Sequence, residues 1–457
     1  MVALHRAIHL LSLNINLIQL RMKKLFSGVL VILLLLITSC SAEMPEVVNP
    51  DSSPGTTHRF LSVKEVSNRL HGIWPTLPKS NPNTRNNDEP QVDSVFVLPG
   101  GQYVGTYNPT VGDLFADPNV QYIDTVSTYA LVFTFKNEQG FIIMSAREGL
   151  PDMLYYAENG SFNSNDLKVS SNAGGFGVFM NLLDDYVECE YWADPEDGGG
   201  GSNTWWETDT VRAGGTGVPV KWDQVEPYNN QCPIIGGERA LTGCVATAVA
   251  QIMAYYKYPA SYEGYTFHWD DMINGIYYGH GYYDIPQLMA FLGTTENLHN
   301  SYGLSATGAR FKHVPRTFQN FGYSYWGKQV KYKFGVFTNQ IDRNMPVVIC
   351  GYDKSDVGHA WVGDGYMTRK KKKGTKTIQT IQYIHCNWGW GGYRDGWAIA
   401  GVFDPRDTSS DPIIDTRSSN SDDLEEECDC DPYCGISSGL TSTSYYRRNH
   451  MIINIQP

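Results

Sequence analysis

Between residues 94 and 162 apolar and polar side chains alternate at the two-residue period of half-buried strands. Within it, 129–135 (YALVFTF), a turn at 137–140 and 141–145 (FIIMS) predict a hairpin. The period then lengthens. Phe179, Leu182, Leu183 and Tyr186 recur at helical spacing in 176–192, and 60–70 (FLSVKEVSNRL) reads as a shorter amphipathic helix. Further on, Val245, Val249, Ile252, Met253 and Tyr256 line one face of a helix over 243–256, which Pro259 stops. Segments 345–350, 359–362, 377–385 and 450–455 read as strands, and the basic run 370–373 with Gly374 as a solvated hairpin tip.

These elements predict an α+β protein with a small α+β unit over 55–195 and a larger unit over 218–457. Between them, 196–217 contains GGGGS and three further glycines, the composition of an exposed, protease-accessible linker and a candidate maturation region. Residues 41–54 read as a second linker. The N-terminal 1–40 reads as an export signal: a basic stretch after Met22, which reads as the true start, an apolar run over 25–37, and ITSC ending at Cys40 in the manner of a bacterial lipobox. Cys40 is therefore a lipidation candidate, with lipid-anchored association to a membrane and an exported, outer-membrane or cell-surface location as the consequence.

Composition is that of a globular chain, 42% hydrophobic and 18% charged. The net charge of −13 is concentrated in 404–431, where eleven acids face two arginines. The rest is close to neutral, which argues against a nucleic-acid partner. That acidic stretch carries Cys428, Cys430 and Cys434, but no fourth ligand stands at zinc spacing, so no metal site is assigned. Without Cys40, eight cysteines remain. They are compatible with disulfides in an exported protein, although a chain this long builds a core without them.

Among the cysteines Cys244 alone opens a helix, where free N–H groups and the helix dipole favour a thiolate. The preceding Gly243 leaves room for a substrate backbone. His359, after Gly358 and at the start of a short strand, is the best-placed of eleven histidines to act as its base. In HCNWGWGG (385–392) Asn387 is a candidate to accept the imidazole Nδ1–H, and Trp388 to shield that contact from water. Gln224, twenty positions before Cys244, is a candidate oxyanion donor.

The order Gln, Cys, His, Asn-Trp resembles the streptopain family of cysteine peptidases. The matching stretches are VKWDQVEPYNNQCP (220–233), TGCVATAVAQIMAYYKYP (242–259), GHAWVGDGY (358–366) and HCNWGWGGYRDGW (385–397); GFIIMSAREGLPDMLYYAENGSF (140–162) resembles the family's propeptide. The resemblance implies a papain-like fold, with a helical subdomain and an antiparallel-sheet subdomain, preceded by an inhibitory propeptide. It implies a secreted endopeptidase made as a zymogen, with Cys244 as nucleophile, His359 as base, Gln224 as oxyanion donor and Trp388 beside the histidine. The family relies on a Cys–His dyad, so Asn387 is expected to contribute chiefly through its backbone. No cofactor is implied; the partners are protein or peptide substrates and the chain's own propeptide. The chemistry alone also admits a cell-wall peptide amidase, or a surface-binding lipoprotein that has kept a protease fold without catalysis. The sequence departs from the family in an added basic stretch (369–373) and in the acidic insert (408–435).

Overall fold

Ser62 starts the first helix, α1 (Val63–Ile73), through a capping box: its hydroxyl accepts the Glu65 N–H while the Glu65 carboxylate accepts the Ser62 N–H. The pattern 60–70 thus becomes a helix displaced by three residues, because its apolar start lies before the cap. Val63, Val66, Leu70 and Ile73 form its buried stripe. The computed structural model describes residues 59–78, 91–106, 127–163, 174–191, 204–212, 217–352, 358–403 and 449–457. All belong to the unit Thr57–Pro457. The export segment with Cys40, the 41–54 linker, much of 196–217 and the acidic insert with its three cysteines lie outside the described residues. Among those described, no helix is long and apolar enough to cross a membrane, and no group of three or more His, Cys, Asp or Glu could hold a metal ion.

After α1 come β1 (Val92–Leu98), β2 (Gln102–Thr106), β3 (Ala130–Phe135), β4 (Phe141–Ser145) and β5 (Met153–Ala157), then α2 (Gly174–Tyr191) and β6 (Thr204–Arg212). The expected hairpin is β3–β4, with Ala130 opposite Ser145 and Thr134 opposite Phe141. The helical half follows: α3 (Cys244–Tyr256), α4 (Trp269–Asn274), α5 (Gly281–Leu292) and α6 (Val314–Asn320). The chain then forms β7 (Tyr325–Lys331), α7 (Phe334–Asp342), β8 (Val347–Tyr352), β9 (Gly358–Lys373), β10 (Lys376–Asn387), β11 (Gly396–Ile399) and the closing β12 (His450–Gln456).

Twelve strands of the described residues form one sheet, ordered β7-β12-β8-β9-β10-β11-β5-β4-β3-β1-β2, with β6 alongside β9. The small N-terminal unit is therefore not a separate bead. Its β5 pairs antiparallel with β11, Tyr156 opposite Trp397, and the sheet runs on without a break. The two faces alternate as strand geometry requires. Val347 and Ile349 of β8 and Trp361 of β9 enter one core, shared with α1, α2, β1 and β3–β5. Val348, Cys350, Ala360 and Val362 enter the other, shared with the helices.

One reading of the sequence needs correction. The 196–217 stretch is not all linker: TWWETDTVR forms β6, whose nine residues pair with 365–373 of β9, taking over that edge where β8 stops at Gly363. Trp206 anchors it, its indole N–H on Asp152 and its ring 4.8 Å from the Arg369 guanidinium. The basic run 370–373 with Gly374 does form the solvent-facing tip of the β9–β10 hairpin, but the residue before it does not share that exposure. Arg369 is buried, donating to Thr208 and to Thr76 of the N-terminal unit, and only the lysines beyond it reach solvent.

Candidate active site

Cys244 is the first residue of α3 and sits half-buried. The helix is buried on all sides from Val245 to Ala254, not amphipathic as its spacing suggests, because it is held between the sheet and the other helices. Gly243, at φ +92°, turns the chain into the helix. A Cβ there would meet the carbonyl of Thr307 at 3.0 Å, so the glycine also permits the close approach of that segment.

The thiol is hydrogen-bonded to His359 and accepts the backbone N–H groups of Val245 and Ala360. Burial pushes the Cys244 thiol up, but the His359 charge, its hydrogen bond and the two N–H groups together hold it below its ordinary value. Burial pulls the His359 imidazole down, while the opposing thiolate, the hydrogen bond to it and the Trp388 carbonyl leave it raised. By contrast, burial drives Cys232 up to about 11 and Cys386 well above an ordinary thiol. Opposite shifts in one contacting pair describe a thiolate–imidazolium pair. They predict a bell-shaped pH dependence of kcat/KM, its acid limb set by the lowered thiol and its alkaline limb by the raised imidazole. In His359→Ala the acid limb of iodoacetamide alkylation of Cys244 moves to higher pH; an unmoved limb would contradict the pairing.

On its other side His359 donates Nε2–H to the Trp388 carbonyl, at 2.9 Å. This leaves Nδ1 for the thiol and overturns the expected Asn387 contact. The Asn387 amide instead donates to the Val220 carbonyl (2.9 Å) and to Gln251 Oε1 (3.0 Å), and its Oδ1 accepts the Gly389 N–H (3.2 Å). The side chain is turned into the helical core, and a neighbouring backbone carbonyl does the orienting. Gln224 is buried; its Nε2 donates to the Gly389 carbonyl at 3.3 Å, which uses one of its two amide hydrogens. Its own carbonyl accepts the Thr242 N–H, tying it two residues upstream of the thiol. Trp388 is buried, 5.2 Å from Trp361 between ring centroids, and its indole N–H donates to the Tyr155 hydroxyl and the Arg394 carbonyl. Cys244, His359, Trp388 and Gln224 are thus brought together, Asn387 stands one layer behind, and Cys40 lies outside the described residues.

Three participants escaped the sequence reading. Gly175, near the start of α2, lies against the site: a Cβ there would stand 2.3 Å from the Trp388 ring and 2.5 Å from His359 Cδ2. The Gly-Gly pair opening that helix was the available signal for such a close approach. Tyr155 of β5 bridges Trp388 to Arg394. Asp395, fully buried, accepts the Trp388 N–H at 2.9 Å. Burial pushes its carboxyl up to about 6, against Lys221, the Trp388 N–H and His385, with Asp364 adding to the rise. The unfolded carboxyl ionises near 3.8, so the native state holds the proton to higher pH and stability falls as pH rises through that window. Asp395→Asn is accordingly expected to raise the unfolding temperature near neutrality and not below about pH 4. An equal gain in both calorimetric scans would contradict this assignment.

A helix-borne thiol hydrogen-bonded to a strand-borne imidazole, on an α+β scaffold, is the arrangement of an enzyme with a cysteine nucleophile, and the relatives below make it a cysteine peptidase. Residues 222–398 match the model of the Peptidase C10 family. Streptopain of Streptococcus pyogenes serotype M28 (strain MGAS6180) is 28% identical over 314 residues, 58% of this chain and 72% of streptopain. The thiol protease/hemagglutinin PrtT of Porphyromonas gingivalis is 29% identical over 220 residues, 41% of this chain and 24% of PrtT. A fragment of prointerpain A from Prevotella intermedia superimposes with a TM-score of 0.46 at 18% identity, covering 72% of this chain and 96% of the fragment. Active interpain A of the same organism gives 0.32 at 22%, covering 41% and 85%.

Proposed function

We propose that this cysteine peptidase is an exported endopeptidase made as a zymogen, with Cys244 as nucleophile and His359 as general base. The observation that carries the reading is the Cys244–His359 contact backed by the Trp388 carbonyl. The thiolate attacks the scissile carbonyl, and the developing oxyanion takes the free Gln224 amide hydrogen and a backbone N–H at the start of α3. His359 then protonates the leaving amine, and water, deprotonated by the same imidazole, hydrolyses the thioester.

Latency has its own support. The 59–191 segment carries Gly175 onto His359 and Trp388, Tyr155 onto Trp388 and β5 onto the β11 edge. A substrate cannot share that space, so this segment acts as the propeptide and must leave. Export with a lipid on Cys40 fits the apolar run and the ITSC sequence. The test of the site is labelling with a thiol-directed epoxide, mapped by peptide mass spectrometry. Processed protein is labelled on Cys244, and peptide hydrolysis falls in step. Labelling confined to another cysteine, or hydrolysis that survives full labelling of Cys244, would overturn the assignment.

A further inference from the structure

The buried polar groups behind the active site converge on the two residues Trp388 and Gly389. The Trp388 carbonyl accepts the His359 Nε2–H (2.9 Å), and the Gly389 carbonyl accepts the Gln224 amide (3.3 Å). Two consecutive carbonyls thus aim the base and the oxyanion donor. The aim of a carbonyl is set by its peptide plane, and each plane is fixed by what its N–H bonds to. The plane bearing the Trp388 carbonyl also bears the Gly389 N–H, which Asn387 Oδ1 accepts; the preceding plane bears the Trp388 N–H, which Asp395 Oδ1 accepts. Both planes flanking the Trp388 Cα are therefore clamped. Gly389, at φ +72°, lets the next carbonyl swing toward Gln224. Asn387 is anchored in turn on Val220 and Gln251.

Asp395 is the costly member of this arrangement. It is fully buried, its Oδ2 has no hydrogen-bond partner, and no side-chain cation forms a salt bridge with it among the described residues. A buried carboxylate is expensive unless its contacts matter. Among the described residues the one hydrogen bond its side chain makes is from the N–H of the residue that orients His359.

We propose that Asp395 is a positioning residue: by accepting the Trp388 N–H it holds the 388–389 corner in the conformation that aims His359 at Cys244 and Gln224 at the oxyanion. The proposal rests on the assignment of Cys244 and His359 above. It concerns the transition state more than substrate capture, so its loss lowers kcat and leaves KM nearly unchanged.

The test compares wild type, Asp395→Asn, Asp395→Leu and Cys244→Ala, each expressed as the full chain and processed by the same added protease. Asp395→Leu fills the volume without an acceptor, and an apolar isostere of a buried charge is often tolerated by the fold. Its kcat is expected to fall roughly 10- to 100-fold, the scale of a misaimed catalytic group, with KM within about threefold. Asp395→Asn keeps the acceptor oxygen and is expected to recover most of kcat. Should Asp395→Leu fail to fold by circular dichroism, Asp395→Ala takes its place in the comparison. Wild-type kcat in a folded acceptor-less variant, or an Asn variant as impaired as that one, overturns the proposal. Activity in Cys244→Ala would instead overturn the site assignment beneath it.

Discussion

Cys244→Ala is expected to lower peptide hydrolysis by about ten-thousandfold or more, the scale seen when a covalent nucleophile is removed. This corresponds to roughly 5.5 kcal/mol of barrier or more. The reason lies in the site's division of labour. Gln224 and the backbone N–H groups still stand ready to polarise a carbonyl, but no atom remains to form the thioester, and His359 has no proton to accept. The fold should be unchanged, because the half-buried thiol is replaced by a smaller side chain at the start of a helix whose core residues begin at Val245. Hydrolysis of a casein-type substrate by protein matured with an added protease measures the loss directly, and full-length protein left to itself tests self-processing. Full activity in both assays would show that the chemistry lies elsewhere.

The second large effect is expected at Gly175, far from Cys244 in sequence. Gly175→Leu puts a side chain where even a Cβ meets the Trp388 ring at 2.3 Å and His359 at 2.5 Å. Those are buried aromatic groups, neither of which can swing aside freely. Overpacking of this kind costs about 1–3 kcal/mol, and every 1.4 kcal/mol changes a docking equilibrium tenfold. The closed arrangement of the uncleaved chain should therefore lose roughly 10- to 100-fold of its population. Labelling of Cys244 in the intact precursor should rise by that factor, with the β5–β11 pairing still in place to hold the segment near. The measurement is the rate of epoxide labelling of uncleaved Gly175→Leu against uncleaved wild type, both carrying Cys244. An unchanged rate in a folded variant would mean that 59–191 does not restrain the site through this contact.

The same two residues mark how far the chain could be read before folding. Cys244 was legible because a helix start is local: Gly243 and the alanine-rich run after it announce the position that meets the helix dipole. The β3–β4 hairpin, α2 and the closing β12 were legible for the same reason, each being written in the spacing of its own apolar side chains. Gln224 and His359 were legible mainly through motif order, since neither residue type signals a role by itself. The contact missed at Gly175 joins positions 184 residues apart in the chain from His359, and nothing in the local pattern records it.

Local pattern thus established the secondary elements, the α+β class and the identity of the thiol that opens a helix, because propensity, capping and the strand and helix periods act over a few residues. Folding settled the rest: that the N-terminal unit extends the same sheet, that TWWETDTVR is a strand, that Asn387 faces Gln251 while a backbone carbonyl holds His359, and that Asp395 lies beneath Trp388. Each of these depends on which edge, plane or cavity a distant segment occupies. Hydrogen bonds and packing between remote residues are chosen by geometry in three dimensions, for which spacing along the chain carries no code.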